Sequence, residues 1–171
     1  KVKKSRNETI NYLSIDGIKL LLEQPNITTP KGRRDLAMLA LMYDSAARVQ
    51  EIIDLEPLSI RFNKPYTIKI IGKGNKARIV PLMEEEITHI QSYMKETGLL
   101  EIHKRHEPLF YNSRKDKLTR AGVNCIFHKY ATLARAKNPG LIPDKISCHS
   151  LRHSKAMHLL QAGVNLVYIR D

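Results

Sequence analysis

Residues 36–43, LAMLALMY, are eight consecutive apolar positions. A helix carrying such a run has no wet side, so other elements must cover it on every flank, and the fold has to be built around it. The surrounding stretch, GRRDLAMLALMYDSAARVQEIIDLEP, predicts a buried helix that breaks near Asp44 or Ser45 and restarts through Arg48 to Leu55, with Pro57 ending it. At 171 residues the chain can supply that wrapping within one domain, and it is too short for two ordinary ones.

The flanking elements follow from periodicity and punctuation. Ser14 is a candidate N-cap for a short helix with Ile18, Leu21 and Leu22 on one face and Pro25 as its stop. From Leu58 to Leu82 the chain turns to β-branched residues alternating with polar ones. LSIRF, YTIKII and ARIVPL, separated by NKP and GKGNK, predict three short antiparallel strands. Glu84 to Thr97 reads as a helix closed by Gly98, and PLFYNS as a fourth short extended piece. Thr119 to Lys137 and Ser147 to Gln161 read as two more helices, with a further one beginning at Leu166. The expected class is α+β, mostly helical, with a small three-stranded antiparallel sheet. Residues 1–11 are expected to be a linker-like segment and 12–171 the domain proper.

Lys and Arg outnumber Asp and Glu by 29 to 17, a formal net charge of +12, and polyanions are the natural partner of such a field. Cys125 and Cys148 lack a C-x-x-C spacing, which fits a reducing compartment and a cytoplasmic protein. No run approaches the roughly 18 apolar residues of a membrane span, and the first residues lack the apolar centre of a signal peptide. Because it opens on Lys1 rather than Met, the chain is expected to be a piece of something longer.

Three clusters carry candidate chemistry. Between Pro57 and Met83 there is no acidic residue, yet Arg61, Lys64, Lys69, Lys73, Lys76 and Arg78 all fall there. Lysines protecting an exposed sheet edge explain this as well as an anion site does. GKGNK is not a nucleotide P-loop, because it leads into a strand and lacks the G-K-[ST] ending. Arg48, if its helix is regular, shares a stripe with Ile52 and Leu55, and Glu51 is its natural partner, in a structural salt bridge or otherwise. In CHSLRHSKAMHLLQAG, His149, Arg152, Ala156, Leu159 and Gly163 fall on one helical face that is expected to continue the core stripe, and no carboxylate lies between Asp144 and Asp171. An arginine so placed is a candidate anion site at a helix N-terminus. His149 and His153, at i,i+4, also have zinc-ligand spacing without an obvious third ligand, and His149 alternatively caps the helix.

Two arginines, a lysine and a histidine around a phosphate resemble the catalytic domain of the tyrosine recombinase (phage-type integrase) family. HSLRHSKAMHLLQAGVNLVYIRD is similar to the family's H-x-L-R-H box, SAARVQEIIDL to its first arginine box, and IGKGNKARIVPL to the hairpin bearing its catalytic lysine. The resemblance implies catalytic roles for Arg48, Lys73, His149 and Arg152, with Lys76 a weaker candidate for the lysine. It implies supporting roles for Glu51 and His153, and leaves Lys69, Lys76 and Arg78 to grip DNA. The implied activity is site-specific recombination of double-stranded DNA by transesterification through a 3′-phosphotyrosine, needing no metal or other cofactor. Four copies would act on two duplexes.

The chain departs from the family at three places. Ala46 stands where glycine is usual, and Ser59 where an aspartate often follows the first arginine box. The family's histidine or tryptophan box and its nucleophilic tyrosine come after the position where this chain stops, and Tyr168 is too near Arg152 to serve. The nucleophile is therefore expected beyond Asp171, the chain alone is expected to be inactive, and the alternative is a DNA-binding module that does not cleave.

Overall fold

The protein is described here by a computed structural model over residues 11–165. Its elements run α1 (Ile15–Leu22), α2 (Pro30–Ser45), α3 (Val49–Ile53), β1 (Ile60–Arg61), β2 (Thr67–Ile71), β3 (Ala77–Pro81), α4 (Glu84–Thr97), α5 (Arg120–Lys137) and α6 (Cys148–Gln161). The linker expected for residues 1–11 and the helix expected from Leu166 lie outside the described residues, apart from Asn11, whose side-chain amide donates to the Lys145 carbonyl at 2.7 Å.

The apolar run does what its composition demands. Ala37, Met38, Leu39, Leu41 and Met42 of α2 are essentially inaccessible, and the helix is covered by α1, α3, α4 and α6. Each large side chain so buried contributes about 1.5–3 kcal/mol of gross transfer free energy, which makes α2 the core's axis. Thr29 caps its start by accepting from the Gly32 N–H at 3.0 Å, and Pro30 occupies the first turn, where its missing N–H costs nothing. Ser14 caps α1 in the same way, accepting from Gly17 at 3.1 Å.

One polar network lies inside this core. Arg34 and Asp35 are both buried and paired, and Tyr130 on α5 donates to the second Asp35 oxygen at 2.7 Å. Arg34 also donates to the Tyr111 carbonyl at 3.1 Å. Every charge is therefore matched, as burial requires.

The sheet is antiparallel in the order β1-β2-β3, with Ile60 opposite Ile68 and Ile70 opposite Arg78. Ile68 and Ile70 face the core while Lys69 and Ile71 face out, the alternation expected of a half-buried strand. The expected α+β class and three strands are found. PLFYNS is not a strand: Leu109 donates its N–H to the Leu55 carbonyl at 2.8 Å, Leu109 and Phe110 are buried, and only Tyr111 and Lys117 form an isolated bridge. Its apolar residues serve the core, with Phe110 stacked on Tyr93.

The second difference bears on function. The expected break falls at Ser45, where Ala46 turns left-handed (φ 50°, ψ 30°), but the chain restarts as a helix only at Val49, which leaves Arg48 as the extended N-cap of α3. Arg48 therefore shares no helical stripe with Ile52 and Leu55. A left-handed alanine costs about 1–2 kcal/mol and a glycine's extra backbone entropy about 0.5–1. Ala46→Gly should therefore stabilise the protein by roughly 0.5–1 kcal/mol, read as a higher urea midpoint; an unchanged or lower midpoint contradicts the strain.

Candidate active site

The site assembles around the carboxylate of Glu51, whose side chain is only 5% exposed. Glu51 is the third residue of α3 and reaches back to the N-cap, accepting from the Arg48 backbone N–H at 2.8 Å. The Arg48 guanidinium reaches the same carboxylate at 3.2 Å but remains half exposed. Arg78 on β3 completes the arrangement with a two-pronged contact, Nη1 to Oε1 at 3.0 Å and Nη2 to Oε2 at 2.9 Å. Burial alone would raise the Glu51 pKa. The Arg78 hydrogen bonds, followed by those from Arg48, outweigh it and hold the carboxylate below its ordinary value.

Arg152 enters from α6. Its Nη1 donates to the Ala46 carbonyl at 3.1 Å, so the second arginine is tied to the same left-handed corner that delivers the first. Its pKa is lowered by burial, then by repulsion from Arg48 and Arg78, against an opposite pull from Glu51. Two guanidiniums thus pair with one carboxylate and a third, Arg152, stands within its field, so the positive charge is in excess and the cluster is a candidate anion site. Arg78 and Arg152 line an open groove of about 490 Å³ running from Asp44–Ala46 along β3 to Lys155, Ala156 and Leu159 of α6.

The hairpin between β2 and β3 is closed by the Gly72 N–H on the Lys76 carbonyl at 2.8 Å. Gly74 and Asn75 both take positive φ at its tip (75° and 59°). Lys73 sits on that tip, exposed and with no ion-pair partner among the described residues. At the hairpin's base a Cβ on Gly72 would stand 3.0 Å from Glu51 Oε1, so the glycine permits the close approach.

His149 and His153 lie on the exposed side of α6, ring centroids 6.2 Å apart. Ser147 and Ser150, not His149, cap the helix. Among the described residues no group of three or more His, Cys, Asp or Glu is arranged to hold a metal ion. The face of α6 that the spacing assigns to the core is the groove face instead. The buried stripe is Cys148, Leu151, Ser154 and His158, with Ser154 accepting from the Leu13 N–H at 2.8 Å and donating to the Ser150 carbonyl.

The sequence expectation groups Arg78 with Lys69 and Lys76, and the structure separates them. Lys69 and Lys76 are exposed and Arg78 is ion-paired inside. The period-two alternation of β3, with Arg78 and Val80 on one side, carries that signal. Sequence reasoning also misses a second layer under the groove. Lys155 is 3.5 Å from Asp44 and 4.9 Å from the Tyr43 ring centroid, and Tyr43 hydrogen-bonds His158 Nδ1 at 2.7 Å. Lys155 lies one helical turn past Arg152, the one signal available beforehand.

A depressed carboxylate pKa contributes stability above the unfolded value and loses it as pH falls through the folded one. Glu51→Gln should therefore be less stable than wild type by about 2 kcal/mol near pH 7, the two converging as pH falls through the lowered folded-state value of Glu51. Urea titrations across that range measure it, and a gap independent of pH contradicts the assignment.

The profile of the phage integrase family matches residues 11–171. The tyrosine recombinase XerD of Xanthomonas axonopodis pv. citri is 36% identical over 156 residues, 87% of this chain and 49% of its own. XerD of Staphylococcus epidermidis is 37% identical over 163 residues, 94% of this chain and 52% of its own. The chain thus spans about half the length of these curated relatives. In the crystal structure of the XerH site-specific recombinase bound to palindromic difH substrate, the same fold recurs with a TM-score of 0.76. That match is at 24% identity and covers 99% of this chain and 47% of that one. The chain belongs to the phage integrase family.

Proposed function

We propose that this phage integrase family member is the catalytic domain of a site-specific DNA recombinase. It cuts and rejoins double-stranded DNA by transesterification, as four copies on two duplexes. The observation that carries the reading is the Glu51 cluster: two guanidiniums paired with one carboxylate, a third anchored at the neighbouring Ala46 corner beside an open groove, and an exposed lysine on the tip of the hairpin that carries Arg78.

A phosphodiester in that groove carries one negative charge and develops a second as an attacking oxygen adds. Arg48, half exposed, and Arg152, anchored to the Ala46 carbonyl, bind its nonbridging oxygens and stabilise that second charge. A tyrosine beyond Asp171 attacks phosphorus and forms the 3′-phosphotyrosine, its proton passing to His149. The P–O5′ bond breaks, and Lys73 gives the departing oxygen its proton. A 5′-hydroxyl from the partner strand later attacks the phosphotyrosine and reverses each transfer. Glu51 holds Arg48, and His153, one turn past His149, supports the site from its rim. Residues 1–171 supply the phosphate site but not the nucleophile, and therefore bind without cleaving. Lys69 and Lys76, exposed on the sheet and hairpin, hold the DNA backbone.

The test is covalent trapping of the full-length protein on a nicked duplex bearing its site. A protein–DNA adduct that survives denaturation is expected, and its rate of formation should fall about 10²–10³-fold in either Arg48→Ala or Arg152→Ala. A protein that binds the duplex and never forms the adduct is a DNA-binding module instead. For residues 1–171 alone, DNA affinity should fall steeply with salt, and Lys69→Ala and Lys76→Ala should each reduce the slope by about one. A salt-insensitive affinity contradicts the backbone contacts.

A further inference from the structure

Arg78 is the charged group of the hairpin whose position is fixed. Both of its terminal nitrogens are committed to Glu51, and its side chain is about one-quarter exposed. It lies opposite Ile70, so it shares the inward face of the sheet, one rung before the last pair of the ladder, Ile71 with Ala77. Beyond that pair come only the Gly72–Lys76 closure and the tip that carries Lys73.

The outer half of the hairpin is largely exposed. β3 is the edge strand of the sheet, Ala77, Ile79 and Pro81 are exposed, and Lys73 and Lys76 are exposed with no ion-pair partner among the described residues. From its outer half the Arg78 fork and the close approach of Gly72 both end on Glu51 of α3. The same carboxylate holds Arg48 by its backbone and its side chain.

Resting on the recombinase reading above, we propose that Arg78 is a positioning residue rather than a DNA contact: its fork on Glu51 sets the hairpin so that Lys73 meets the leaving oxygen of the phosphate held by Arg48 and Arg152. One carboxylate then fixes the distance between the group that binds the phosphate and the group that protonates the leaving oxygen. Lysine cannot replace Arg78 in this role, because an ammonium lacks the planar fork that meets both carboxylate oxygens. A displacement of about 1 Å at a reacting group costs up to about 10²-fold in rate.

A leaving-group substitution tests this in the full-length protein. Wild type and Arg78→Gln are compared in single-turnover cleavage of two duplexes, identical except that the scissile bond carries either the ordinary 5′-oxygen or a bridging 5′-sulfur. A thiol has a pKa near 8.5 and departs as thiolate without a proton, so the sulfur duplex does not need Lys73. The expected result is a loss of about 10²-fold on the oxygen duplex and less than about fivefold on the sulfur duplex. Duplex affinity and its salt slope should stay as in wild type.

Equal losses on both duplexes overturn the inference, as does no loss on either. A fall in affinity with the slope reduced by about one makes Arg78 a phosphate contact and overturns it too. If Arg78→Gln shows no cooperative melt, Arg78→Lys is measured in its place, with the same duplexes and the same criteria. A wild type that binds and leaves no adduct on either duplex overturns the recombinase reading, and this inference falls with it. A cleaving wild type matched by its variant overturns the inference alone.

Discussion

A single buried carboxylate organises this molecule's open face. Glu51 accepts from the Arg48 N–H, the Arg48 guanidinium and both prongs of Arg78, so an N-cap, a strand and a hairpin base all meet on its two oxygens. Charge-assisted hydrogen bonds of this kind are worth about 1.5–3 kcal/mol each, but desolvating the carboxylate consumes much of that. The arrangement therefore matters more for geometry than for stability. It fixes where two guanidiniums stand, and it leaves Arg48 half exposed with donors to spare.

The corner before α3 is the second determinant. Ending α2 at Ser45 frees the Ala46 carbonyl from the helix ladder, and Arg152 takes it up from across the groove. The break also leaves Arg48 as an N-cap, with its side chain half exposed on Glu51 rather than against the core. Because α2 is encased on all sides, its end is a rigid platform, and the two arginines inherit that rigidity from the core.

Much of this was legible in the chain. The apolar run required a central helix; Glu84, Gly98, Thr119 and Ser147 marked helix ends through charge, glycine and capping chemistry; and β-branched alternation marked the three strands. The misses share a physical cause. Periodicity reports which residues could share a face, not which face meets the core, so the groove side of α6 read as its buried side. Periodicity also cannot tell the first helical residue from the cap before it, so the break near Ser45 was legible while the restart at Val49, which leaves Arg48 outside the stripe with Ile52, was not. PLFYNS read as a strand because buried apolar residues in a short extended run look alike whether they pair in a sheet or pack singly, as Leu109 and Phe110 do. Arg78 was hidden because charge counting treats every basic residue of the hairpin alike, while its carboxylate partner lies 27 positions away.

The most direct test of the account is a crystal structure of residues 1–171 bound to a duplex nicked at its recombination site. The account predicts a DNA phosphate in the groove with its nonbridging oxygens within about 3.2 Å of the Arg48 and Arg152 guanidiniums, while Glu51 still holds Arg78. A duplex lying elsewhere, or a phosphate bound by Arg78 after it has left Glu51, would contradict it.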